Sequence, residues 1–136
     1  MVKLKAFDIE EVLEGCSRQY LVGDLKKPQL LPFIRDTQLE IGITDYKEFT
    51  VEKPHVHDQT HEYQYMLQGE TEYMNVDTGE VFRFSEGDFY YIPTHTPYAQ
   101  KSKPGTRILF IKTPSLNDKK ALEETDQVKQ WYTLPF

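Results

Sequence analysis

A chain of 136 residues and 16.0 kDa amounts to about one domain, long enough to bury a core without disulfides. Its 16 Lys and Arg against 22 Asp and Glu give a net charge of −6 with no basic cluster, which disfavours nucleic acid as a partner, and the single cysteine, Cys16, excludes an intramolecular disulfide framework. No stretch approaches the roughly 20 apolar residues of a membrane span and the N-terminus lacks a signal-peptide core, so the sequence predicts a soluble, cytoplasmic protein that meets a small molecule rather than a membrane.

Taken in chain order, "DIEEVLEG" (8–15) places Asp8 three residues before Glu11 and closes on Gly15, the pattern of a short capped helix. "KKPQLLPF" (26–33), with two prolines, reads as a loop or sheet edge. From there the pattern is β. "QLEIGITDYKEF" (38–49), "EYQYMLQ" (62–68), "TEYMNV" (71–76), "EVFRF" (80–84), "DFYYIP" (88–93) and "RILFIKT" (107–113) are aromatic and β-branched runs. The turn segments "QGE", "VDTGE", "SEGD" and "KPGT" separate them. Many short strands with close turns and no βαβ crossover predict an all-β sandwich or barrel. "SLNDKKALEETDQVKQW" (115–131) sets Ser115 and Asp118 in capping-box spacing, predicting a second terminal helix with "DKKALEETDQVK" as its solvated face. No repeat or linker divides the chain, so residues 1–136 are expected to form a single domain.

The chemistry concentrates in "HVHDQTHE" (55–62), which holds three of the four histidines. His55 and His57 are two apart, so on an extended strand both side chains share a face with Cα atoms about 6.5 Å apart. Two imidazoles at that spacing can converge on one ion at about 2.1 Å each, and Glu62, opening the next strand, is the candidate third ligand. Two neutral imidazoles and a carboxylate with open positions suit a divalent transition metal such as Fe, Mn, Zn or Ni. A bare His-x-His on a loop more often binds nothing; the order of the flanking residues is what favours a metal here.

That order, His-x-His, four residues, Glu62, six residues, Gly69, resembles the first conserved motif of the cupin superfamily. "GDFYYIPTHTPY" begins as the second cupin motif does, with Gly87, five residues and Pro93. The resemblance covers about residues 38–113. It implies a double-stranded β-helix, or jelly-roll barrel, which the two short helices read at the chain ends are expected to cover, and a homodimer by analogy with other small cupins. It also implies a metal held by the two histidines and glutamate of the first motif and a histidine of the second. The second motif departs from the family pattern: His95 stands where glycine is expected and Tyr98 where the fourth ligand, a histidine, is expected.

Three readings of the site stay open at this stage. His55, His57 and Glu62 hold a metal with Tyr98 beside it as weak ligand or proton donor; His61 replaces or joins Glu62; or the barrel has lost its metal and uses the same residues for ligand binding or protonation. Strand parity puts Glu62, Gln64 and Met66 on one face and Tyr63, Tyr65 and Leu67 on the other, making Gln64 and Met66 candidate ligand-binding residues. Met66, Phe82, Phe84, Phe89, Tyr91 and Phe110 are otherwise expected to fill the core, and Tyr63, Tyr65, Tyr73 and Tyr90 to pack between sheets or across a subunit interface.

Functionally, the sequence suggests a small metal-dependent cupin acting on a polar metabolite as isomerase, lyase or dioxygenase, with Tyr98 or His95 moving a proton. The segment "FIKTPSLNDKK" bears a weak likeness to the exit segment of cupins of carbohydrate metabolism, which tilts the ligand towards a sugar derivative. Alternatives are a non-catalytic ligand-binding cupin, or a metal-free sugar-nucleotide isomerase or epimerase using His and Tyr. No DNA-binding segment accompanies the barrel, which disfavours a transcription regulator.

Overall fold

The computed structural model describes all 136 residues. Helix α1 (Ala6–Gly15) is followed by strands β1 (Arg18–Gly23), β2 (Ile34–Arg35), β3 (Glu40–Tyr46), β4 (Thr50–His57), β5 (His61–Gln68), β6 (Glu70–Asn75), β7 (Val81–Ser85), β8 (Phe89–Ile92), β9 (Tyr98–Ser102), β10 (Thr106–Thr113) and β11 (Lys119–Ala121), and the chain ends in helix α2 (Asp126–Thr133). They form two facing sheets, in the orders β2-β1-β3-β10-β5-β8 and β11-β4-β9-β6-β7. All pairings are antiparallel except that of β1 with the short edge strand β2. This is the jelly roll expected of the sequence. No helix is long and apolar enough to cross a membrane.

The strands alternate as half-buried strands must. In β5 the inward residues Glu62, Gln64 and Met66 are buried, while Tyr65 on the other face is exposed, in agreement with the parity expected from the sequence. Between the sheets lie Tyr46, Met66, Tyr73, Tyr90, Ile92, Tyr98 and Ile108, with Phe84 packed against them. Gly42 in β3 is required by packing: a Cβ there would sit 2.4 Å from the Phe110 ring. Outside the second sheet, α2 lays Val128 and Trp131 on Met74 and Ala99, burial of the order of 1.5–3 kcal/mol for each large side chain. Lys101 fixes the end of that helix, donating from Nζ to the carbonyls of Trp131 and Leu134 at 2.9 and 2.7 Å.

Several local expectations are corrected. Helix α1 begins at Ala6 with Lys5 as its N-cap and no capping side chain; Asp8 lies in its first turn, where a negative charge complements the helix dipole. The predicted helix over 115–131 shrinks to α2, capped by the Thr125 hydroxyl accepting from the Val128 N–H, because 119–121 pairs with β4 as strand β11. Asp118 caps nothing; it turns inward. Phe89 and Tyr91 face outward, with exposures of 62 and 46%, because Tyr90 takes the inward position of β8, while Phe82, on the edge strand β7 and opposite Tyr73, is 43% exposed. Tyr63 stacks with Phe89 and Tyr91 on that outer face.

Candidate metal centre

The two sheets enclose a cavity of about 530 Å³, and seven of its 24 lining residues are hydrophobic, so it suits a polar ligand. Strand β4 supplies His55 and His57, β5 supplies Glu62 and Gln64, and β9 supplies Tyr98, each lining the same space. His55 lies edge-on to both His57 and Tyr98, with ring centroids 5.2 and 4.4 Å away.

Each histidine is oriented from behind. His55 Nδ1 lies 2.8 Å from the Lys53 carbonyl, which fixes it as the donor and leaves Nε2 unprotonated; burial keeps this imidazole neutral. His57 Nδ1 lies 2.7 Å from Asp118 Oδ1, and its Nε2 lies 2.8 Å from Glu62 Oε1. Burial disfavours the His57 imidazolium, but the two carboxylates outweigh it and raise the pKa. Glu62 is held ionised against burial by His57, Tyr98 and the field of Lys112. Its Oε2 accepts from Tyr98 and from Gln64 Nε2, both at 3.0 Å, while Gln64 Oε1 accepts from the Tyr73 and Tyr90 hydroxyls at 3.0 and 2.8 Å. Burial and the charges of Glu62 and Glu52 keep the Tyr98 phenol protonated.

Asp118 is the residue that the sequence concealed. It accepts from the backbone N–H groups of Gln59 and Thr60 at 2.7 and 3.0 Å and from the Thr60 hydroxyl at 2.8 Å, as well as from His57. These bonds hold its carboxyl far below the usual range despite burial. One side chain thereby ties the β4–β5 turn, a metal-ligand candidate and the C-terminal segment together, as the carboxylate behind a metal-binding histidine commonly does.

Glu52 was hidden by parity, since an even position should face away from His55 and His57. The pairing of β4 with β9 slips between Glu52 and His55, a bulge at Pro54, and this brings Glu52 onto the cavity wall with the histidines. There it accepts from Arg18 Nη2 at 2.8 Å and from the Tyr46 hydroxyl at 3.1 Å. Proline inside a strand was the visible trace of this bulge.

Three sequence-nominated residues stand apart from the cluster. His95 has a side chain 72% exposed and does not line the cavity; its φ of 61° is the left-handed conformation that explains the glycine of the family pattern, and only its backbone touches the centre, donating to the His57 carbonyl at 2.8 Å. Met66 is fully buried in the core and does not line the cavity. His61 faces the outer surface, with Nδ1 2.6 Å from the Tyr91 hydroxyl.

Residues 43–110, half of the chain, match the family model for the cupin domain. The chain belongs to the cupin family. Solved structures agree on the fold at low identity. KdgF from Halomonas sp. superposes with a TM-score of 0.56 at 20% identity, over 74% of this chain and 80% of that one. DMSP lyase DddQ from Ruegeria pomeroyi DSS-3 gives 0.60 at 16%, over 79% of this cupin and 51% of the lyase. Oxalate decarboxylase from Bacillus subtilis, a protein with Mn(II) centres, gives 0.53 at 22%, over 63% of this chain and 24% of that one. No curated protein sequence matches the chain significantly.

As a donor set for a metal, the cluster fits in chemistry: His55 and His57 have their Nδ1 atoms engaged behind them and Glu62 is ionised. No three His, Cys, Asp or Glu side chains form a ready cage, and His57 and Glu62 are bonded directly to each other. An ion would exchange that bond for ligation by the same two atoms.

Proposed function

We propose that this cupin holds a divalent transition metal through His55, His57 and Glu62 and acts on a small polar metabolite in the cavity beside it. The observation that carries the reading is the orientation of the two imidazoles: a backbone carbonyl behind one and the Asp118 carboxylate behind the other direct both Nε2 atoms away from their Nδ1 partners, as ligating histidines are directed. The Mn(II) centres of the structural neighbour oxalate decarboxylase are in keeping with it.

A metal bound there supplies Lewis acidity towards a carbonyl or hydroxyl of the substrate. The chain supplies the proton chemistry. Tyr98, buried and protonated, donates to Glu62 Oε2 and would be the chain's proton donor to a substrate oxygen placed where that carboxylate oxygen lies. Gln64 is locked by Tyr73 and Tyr90 and limits where Glu62 can move.

Elemental analysis of protein purified without chelator tests this reading. A transition metal near one per chain in the wild type and its loss in His57→Ala is expected; a stoichiometric metal in the variant removes the triad.

A second reading has its own observation. Asp118, His57, Glu62 and Tyr98 form one continuous hydrogen-bonded chain, which can move a proton without an ion as a metal-free isomerase or epimerase requires. Turnover that survives exhaustive chelation selects it.

A further inference from the structure

The charge on the cavity wall runs against the charge of the molecule. The chain as a whole has 22 acids and 16 cations, yet the cavity is lined by four acids and five cations. The acids are all paired: Asp24 with Lys26 at 2.9 Å, Glu40 with Lys112 at 3.1 Å, Glu52 with Arg18 at 2.8 Å and Glu62 with His57 at 2.8 Å. Lys27 and Lys119 make no ion pair. Lys119 is the better placed of the two, because β11 sets it opposite His57 in register and its field reaches both Glu52 and His55. Arg18, on β1 of the facing sheet, lines the same cavity, its guanidinium carbon 5.3 Å from the Phe110 ring centroid, with Nε on Thr44 and Nη2 on Glu52.

We infer that the cavity takes a small hydroxy acid, whose carboxylate is received by Lys119, with Arg18 adding positive charge from the facing sheet, and whose hydroxyl end reaches the His55, Glu62 and Tyr98 cluster. This rests on the proposed function in placing the reacting end at that cluster. A volume of about 530 Å³ accommodates a molecule of this size, and an unpaired ammonium on a wall whose acids are all paired is a receptor for a negative charge.

Matched acid and neutral probes test it by calorimetric titration: D-glucuronate against D-glucose, and L-tartrate against erythritol. Each is measured with wild-type protein as purified, its metal content determined separately, and again in EDTA. Lys119→Gln is compared with Lys120→Gln, which removes the same charge from the neighbouring residue outside the cavity. The acids are expected to bind more tightly than their neutral partners, with Lys119→Gln weakening them by about two- to fivefold, the scale of an exposed ion pair, and Lys120→Gln leaving them unchanged. Equal binding of acid and neutral probes overturns the inference, as does no binding of either acid, or equal losses in the two variants. An acid preference that disappears in EDTA and ignores Lys119→Gln places the carboxylate on the metal, overturning the inference while leaving the metal centre intact. Absence of metal from the purified protein, with the acid preference retained in EDTA and lost in Lys119→Gln, supports it and removes the metal instead.

Discussion

Tyr98 donates a hydrogen bond of 3.0 Å to Glu62, so the residue standing where the family resemblance implies a fourth metal ligand is bonded to the one proposed as the third. The proposed site then has one imidazole fewer than the family pattern implies, and the bonds that Glu62 accepts from Tyr98, Gln64 and His57 compete with ligation. Tyr98→His is therefore expected to bind Mn(II) or Zn(II) more tightly than the wild type, by tenfold or more in chelator competition. Unchanged or weaker binding would mean that position 98 does not face the ion. Tyr98→Phe should lose stability instead, by about 1–3 kcal/mol, because it leaves one bond to a buried carboxylate unmade.

His95 costs the fold something without serving the cavity. Its φ of 61° is a conformation that an L-residue adopts at about 1–2 kcal/mol, partly recovered in the folded chain because glycine loses more entropy on folding. His95→Gly is expected to leave thermal stability within about 1 kcal/mol of wild type and metal content unchanged, because the His95 N–H bond to His57 is made by backbone. A loss of metal in this variant would return the imidazole to the site.

The contrast between these positions shows what a sequence can carry. Period-2 alternation makes β5 readable to the residue, and with it Glu62 and Gln64, since parity is a property of the strand alone. His55 and His57 are readable for the same reason. Glu52 is not, because the bulge at Pro54 reverses parity between it and His55, and a bulge depends on the partner strand β9. Asp118 lies 61 residues from His57, and its local spacing to Ser115 imitates a helix cap; only closure of the sheet by β11 turns it to the imidazole. Tyr91 and Phe89 mislead through composition, since aromatic residues suit either face of a strand.

Glu52 gives the pH dependence a separable component. Burial would raise its pKa, but the charges of Arg18 and Lys119 and the hydrogen bond from Tyr46 outweigh it and leave it depressed. A depressed folded-state pKa means that the group contributes stability above its unfolded value, and that this contribution disappears as pH falls through the folded value. The melting temperature of wild type should thus exceed that of Glu52→Gln at pH 6, and the gap should close as the pH is taken from 4.5 downwards. A gap that stays constant to pH 3 would show that the pair with Arg18 is not ionic.

Asp118 offers the sharpest test of the proposed centre, because any effect it has on a metal would pass through His57. Asp118→Asn keeps the shape and one oxygen acceptor but removes the charge that favours the Nδ1-protonated ring, and the amide must now place its NH2 among donors from Gln59 and Thr60. Loss of such a carboxylate behind a ligating histidine typically weakens metal by about 10–100-fold. Asp118→Asn is accordingly expected to fall in that range in chelator competition, whereas Thr60→Ala, which loses a neighbouring bond to the same carboxylate but leaves its charge, should fall well short of it. The two variants share the loosening of the β4–β5 turn and differ at His57. Equal losses of metal would assign Asp118 to holding the turn alone, and a loss confined to Asp118→Asn, with melting temperatures that match, would assign it to aiming the imidazole.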